Sequence, residues 1–149
     1  MLSRPYRQRA PLERRMVIRS VVHWSARGRG EDMTQIKICG VQRPEHAEVA
    51  IKAGADLIGL VFYPGSKRYI TLEEARAVRQ AVPRDQAVLV GLFVNQPLDE
   101  IAEVADACGL DSIQLSGSEP PEFCRAVMLR TGRPVVKMVR GRFPAGLPP

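Results

Sequence analysis

Ala53-Gly54-Ala55-Asp56-Leu57-Ile58-Gly59-Leu60 and Cys108-Gly109-Leu110-Asp111-Ser112-Ile113-Gln114-Leu115 read as one unit used twice. Each sets a glycine just past an amphipathic segment and begins an apolar run two or three residues later. A glycine there takes the left-handed conformation that closes a helix and turns the chain back. Thr131-Gly132 repeats the device. Working outward, the pattern predicts strands at about 35–39, 57–62, 87–93, 111–115 and 134–139. Helices are predicted between them at about 44–53, 71–82, 97–108 and 120–130. The runs 57–62 and 87–93 are continuously apolar, as expected where both faces of a parallel sheet are covered. Thr71 with Glu74 makes a capping box, and Pro44 and Pro97 suit the first turn of a helix. The repeating unit is therefore βα, and the fold class is α/β with a parallel sheet.

Two architectures fit five such strands: an open doubly wound sheet, or the first five strands of a (β/α)8 barrel. Periodicity does not separate them. Length favours the open sheet, because a barrel takes roughly 200–250 residues and Met33–Pro149 supplies 117.

Composition excludes several classes. Apolar content of 45% and charged content of 26% are ordinary for a globular protein. No apolar run reaches the length of a membrane-spanning helix. Eight arginines against three acids in residues 1–32 account for +5 of the net charge of +6, so the body is close to neutral. The basic character belongs to the leader, and a nucleic-acid function does not follow from the isoelectric point. Residues 1–32 read as a transit peptide, as a basic arm, or, the reading favoured here, as sequence upstream of a functional unit that starts at Met33 and runs over 33–149. In each case the leader is expected to be disordered. Cys39, Cys108 and Cys124 fit neither a disulfide framework nor a metal-ligand spacing, which suits reduced thiols and a cytoplasmic location.

In either architecture ligands bind at the C-terminal ends of the strands. Those ends read Lys37-Ile38-Cys39-Gly40, then Gly59-Leu60-Val61-Phe62-Tyr63-Pro64-Gly65-Ser66-Lys67-Arg68-Tyr69, then Gly91-Leu92-Phe93-Val94-Asn95, then Gln114-Leu115-Ser116-Gly117. Four motifs in order at four successive strand ends resemble the N-terminal part of the phosphoribosylanthranilate isomerase family, from about Thr34 to Val139. The resemblance reverses the choice of architecture. It implies an incomplete (β/α)8 TIM barrel of about five strands and four helices. It also implies an aldose–ketose isomerase of tryptophan biosynthesis, formally an intramolecular oxidoreductase. The reaction is an Amadori rearrangement of N-(5-phosphoribosyl)anthranilate to 1-(2-carboxyphenylamino)-1-deoxyribulose 5-phosphate.

A lone cysteine in an apolar strand is ordinarily a small buried hydrophobe. Cys39, however, ends its strand, precedes a glycine, and shares a sheet face with Lys37, whose charge would favour the thiolate. The resemblance makes Cys39 the general base. Arg68 lies in a nine-residue loop, Pro64–Leu72, and its planar fork suits a carboxylate. The resemblance gives it the anthranilate carboxylate and places Gln114 in the substrate pocket. Asn95 reads as a loop residue outside the site, and Cys108 and Cys124 as structural. No cofactor or metal is expected, and the partner is a small-molecule substrate.

The sequence departs from the family twice. Ser116 stands where the family has His. The family's general acid, an Asp after a later strand, and its glycine-rich phosphate loops have no counterpart here, and Arg140–Pro149 cannot continue as a helix. The 149-residue chain is expected to be truncated and inactive by itself. The rival readings are a non-catalytic fragment that pairs with a complementary chain and a nucleic-acid binder acting through the basic leader. A third rival, an open-sheet nucleotide binder, lacks the glycine fingerprint after its first strand.

Overall fold

In a computed structural model, residues 34–139 are described, so expectations about residues 1–33 and 140–149 lie outside the described part. Five strands and four helices alternate along the chain: β1 Lys37–Cys39, α1 Pro44–Lys52, β2 Leu57–Val61, α2 Leu72–Ala81, β3 Val88–Phe93, α3 Leu98–Ala107, β4 Ser112–Leu115, α4 Pro121–Thr131 and β5 Val135–Lys137. All neighbouring strands pair parallel, and their order in the sheet is β1-β2-β3-β4-β5. A doubly wound sheet reverses its strand order at a switch point. This sheet never reverses. Each crossover moves one strand in the same direction, and with right-handed crossovers that keeps every helix on one face. The architecture is the winding of a β/α barrel, and the open-sheet alternative suggested by length is set aside.

Each helix is started and stopped by local chemistry. Pro44 opens α1 at its first turn. Thr71 caps α2: its hydroxyl accepts from Glu74 N, and its own N–H donates to the Glu74 carboxylate at 2.9 Å. Those bonds hold the Glu74 carboxyl below its ordinary value. Pro97 sits one position earlier than expected, as the N-cap of α3, where its extended ψ of 149° still leads into the helix. After α1, α3 and α4 the glycines Gly54, Gly109 and Gly132 take φ of +99°, +58° and +66°.

The repeated unit now has a structural meaning. Asp56 accepts the N–H of Ile36 at 3.0 Å, and Asp111 accepts the N–H of Leu89 at 2.9 Å. Each aspartate stands just before its strand and ties down the entry of the preceding one. Asp111 also receives Arg79 at 2.7 Å and Arg84. These clasps lie at the N-terminal ends of the strands.

The main core lies between the sheet and the helices. Ile58, Leu60, Leu89, Phe93, Ile113 and Leu115 from the strands meet Ala47, Ala75, Val78, Ile101, Ala105 and Val127 from the helices, all buried. Burying one aliphatic side chain of this kind stabilises by about 1.5–3 kcal/mol. Cys108 closes this layer, and burial pushes its thiol up against the opposing pull of Arg76. The alternate strand residues Lys37, Cys39, Gly59, Val61, Val90 and Gln114 face the other, concave side.

Candidate functional site at the strand ends

At the end of β1 the chain turns through Gly40, whose φ is +84°. Its N–H and that of Val41 both donate to Gly59 O, at 2.8 and 3.1 Å, which fixes the turn against β2. A Cβ on Gly40 would lie 2.3 Å from Arg68 Cδ. Glycine is thus required twice, for its backbone angle and for the space that Arg68 fills. The Arg68 side chain lies across this turn and donates from Nη1 to the Cys39 carbonyl at 3.1 Å. It gets there because the loop after β2 folds back: Ile70 N donates to Val61 O at 3.0 Å, and Arg68 N to Ser66 Oγ at 3.1 Å. Cys39 and Arg68, 29 residues apart in sequence, are therefore neighbours at the mouth. No carboxylate pairs with Arg68 among the described residues, so its fork is available to an acidic ligand.

Gln114 joins them by a different route. Its Oε1 accepts Lys37 Nζ from across the concave face, and its Nε2 donates to Ser116 Oγ at 3.1 Å. A lysine ammonium only donates, so the amide oxygen must face Lys37 and the NH2 must face Ser116. Gly59 leaves room for the crossing. A Cβ there would stand 2.9 Å from Cys39 Sγ and 3.0 Å from Lys37 Cε.

A second cluster bounds the mouth on the β3–β5 side. The Glu119 carboxylate, with 3% of its side chain exposed, pairs with Lys137 at 2.6 Å and accepts Asn95 N–H at 2.8 Å. Asn95, the only non-glycine with positive φ among the described residues (+55°), accepts Ser118 N–H at 2.8 Å through Oδ1. Burial acts to raise the Glu119 carboxyl, but the Lys137 and Asn95 hydrogen bonds outweigh it and hold it below the usual carboxylate value. With Ser116, Gly117 and Met138 these residues line a cleft of about 480 Å³. Neither Cys39 nor Arg68 lines it. Asn95 is a loop residue, as the sequence suggests, and it lines this cleft. Glu119 and Lys137 gave no signal in the sequence, since they lie 18 positions apart with a whole helix between them.

Among the described residues no group of three or more His, Cys, Asp or Glu could hold a metal ion, and no helix is long and apolar enough to cross a membrane. What the arrangement offers is a thiol at a strand end with two cations near it, Lys37 and Arg68.

Comparison with known proteins bears on this geometry. The family model described as N-(5'-phosphoribosyl)anthranilate (PRA) isomerase matches residues 36–142. The N-(5'-phosphoribosyl)anthranilate isomerase of Pelobacter propionicus is 46% identical over 118 residues, which cover 78% of this chain and 54% of that protein. The enzyme of the same name from Acinetobacter calcoaceticus is 43% identical over 107 residues, covering 72% and 50%. The crystal structure of phosphoribosyl anthranilate isomerase from Thermotoga maritima superposes with a TM-score of 0.67 at 42% identity, over 70% of this chain and 50% of that one. A structure of such an isomerase in complex with reduced 1-(o-carboxyphenylamino)-1-deoxyribulose 5-phosphate matches equally well, with a TM-score of 0.67. The chain spans about half the length of the curated relatives it matches.

Proposed function

The chain belongs to the N-(5'-phosphoribosyl)anthranilate isomerase family, and from that premise we propose that it carries the base-and-clamp half of that family's active site. The single observation that supports this reading most strongly is the meeting of Cys39 and Arg68 over Gly40. Cys39 is the general base and Arg68 the clamp on the anthranilate carboxylate. Gln114 belongs to the wall of the same pocket. The reaction is the isomerisation of N-(5-phosphoribosyl)anthranilate in tryptophan biosynthesis. It needs neither cofactor nor metal, takes a small molecule as its partner and runs in the cytoplasm.

The chemistry divides into two proton transfers. An acid protonates the ring oxygen, and the ring C–O bond breaks to give an iminium. The Cys39 thiolate then takes the C2 proton, and the electron pair of that C–H bond neutralises the iminium as an enolamine. Tautomerisation of the enolamine gives the ketone. Each well-placed acid or base contributes typically 10²–10⁴-fold. Cys39 can reach such a proton because it ends its strand at the mouth, and Gly40 lets a ligand approach the backbone there. The acid and the phosphate cradle are assigned by the resemblance to later strands of the barrel.

The test is a chimera. The matched segment of the Pelobacter propionicus relative is replaced by the corresponding segment of this chain, and turnover is followed as loss of the substrate's anthranilate fluorescence. Isomerase activity that falls about 10³-fold on Cys39→Ala is expected. Near-parental turnover in the Cys39→Ala chimera would end the general-base assignment.

A further inference from the structure

The resemblance gives Gln114 to the substrate, yet both ends of its amide are already engaged by protein: Oε1 by Lys37 Nζ and Nε2 by Ser116 Oγ. The register of the strands shows what this does. Cys39 lies level with Gly59, Lys37 one inward layer below, level with Leu57, and Gln114 one layer above, level with Leu92 and Val61. A lysine that starts beneath the thiol and ends above it must run its stem past the thiol. Gly59 makes the passage possible. Cys39 Sγ and Lys37 Cε both lie within 3.0 Å of the point where a Gly59 Cβ would stand, so they are at most about 6 Å apart. The remaining groups around Cys39 are few. β2 presents Gly59, β3 presents Val90 and Leu92, and β4 presents Gln114 and Ser116, all uncharged. The loop after β2 adds one further cation, Arg68, on the Cys39 carbonyl.

We infer that Gln114 is a positioning residue: by receiving Lys37 Nζ it holds the lysine charge beside Cys39 Sγ and so sets the reactivity of that sulfur. Ser116 has the complementary part of fixing which end of the amide faces the lysine. A hydroxyl serves this purpose, which gives the serine at this position a role of its own. The inference deepens the reading of Cys39 as general base and rests on it for its catalytic meaning, but the charge arrangement is measurable without substrate.

The experiment is the rate at which iodoacetamide alkylates Cys39 in the purified 149-residue chain, read at that residue by peptide mass spectrometry so that Cys108 and Cys124 do not contribute. At neutral pH, Lys37→Met is expected to slow alkylation about tenfold, as removal of a unit charge on a stem that passes within about 6 Å of the sulfur would do in partly solvated surroundings. Gln114→Leu, which leaves the lysine in place but frees it, is expected to slow it about threefold, and the double variant no more than Lys37→Met alone. Lys37→Arg restores most of the rate. At about pH 10, above the ordinary range of cysteine thiols, the rates are expected to converge; a purely structural disturbance would not produce that convergence. Unchanged alkylation in Lys37→Met or Gln114→Leu, or independent effects that multiply in the double variant, would overturn the inference. An inactive chimera with this pattern intact would count against the isomerase reading alone. An active chimera without the pattern would count against Gln114 alone.

Discussion

The two ends of the strands are built from the same kinds of residue to opposite purposes. At the N-terminal end Asp111 gathers two arginines and a backbone N–H, and Asp56 repeats the backbone clasp one βα unit pair earlier. The charge of Asp111 is answered there by Arg79 and Arg84. At the C-terminal end Arg68 pairs with no carboxylate among the described residues, Lys37 is held by a neutral amide, and Cys39 keeps its thiol at a strand terminus. One end consumes its electrostatics in holding strands in register. The other leaves Arg68 and Lys37 without a carboxylate partner among the described residues. In a β/α barrel that division is general, since loops at the C-terminal ends are free to vary while the opposite end carries stability. Here it can be assigned to individual side chains.

The contrast is sharpest if substitutions at the two ends separate cleanly into chemistry and stability. In the chimera, Cys39→Ala should cost about 10³-fold in kcat and leave the melting temperature nearly unchanged. Asp111→Ala should do the reverse. It strands Arg79, whose side chain is only 15% exposed, and orphans Leu89 N–H, so a loss of about 3 kcal/mol is expected by denaturant unfolding, with kcat kept in the folded fraction. Arg68→Lys keeps the charge but loses the fork. It should raise KM about tenfold, with a smaller change in kcat, in the fluorescence assay.

Glu119 tests whether the upper end is purely chemical. It is buried at the mouth yet fully paired, so Glu119→Gln should destabilise by about 2 kcal/mol by breaking the pair with Lys137. The sign with pH follows from its lowered carboxyl. The unfolded value is near 4.5 and the folded value lies below it, so the stabilisation is complete above about pH 4.5 and fades as pH falls through the folded value. Acid unfolding of the parent should therefore lose this contribution below that point, whereas Glu119→Gln should show a flatter acid limb.

The sequence revealed the parts of this account that are local. Helix stops at Gly54, Gly109 and Gly132, the Thr71–Glu74 box and the apolar strands are patterns within a few residues, and each was found where the pattern put it, within one or two residues. The places of Cys39 and Arg68, at a strand end and in the loop after β2, drew attention to them, and the family resemblance alone gave them expected roles. Their contact over Gly40 could not be foreseen, because it depends on how the loop folds back. The partnership of Lys37 and Gln114 spans 77 residues and exists only because the sheet curves enough to bring β1 and β4 face to face. Asn95, Glu119 and Lys137 come from three separate elements, and nothing in their spacing signals that they meet. Strand order was hidden from periodicity, which is the same in singly and doubly wound sheets; the resemblance at four strand ends pointed to the barrel, and the pairing agrees with it.

The division of labour is tested most directly by measuring turnover and ligand affinity together in the Cys39→Ala chimera. Reduced 1-(o-carboxyphenylamino)-1-deoxyribulose 5-phosphate, the compound bound in a related isomerase structure, serves as the affinity probe. A base that moves a proton but contributes little to binding predicts a Kd within about threefold of the unsubstituted chimera alongside a loss of about 10³-fold in kcat. Turnover that persists, or affinity that collapses together with turnover, would contradict the assignment of the chemistry to Cys39.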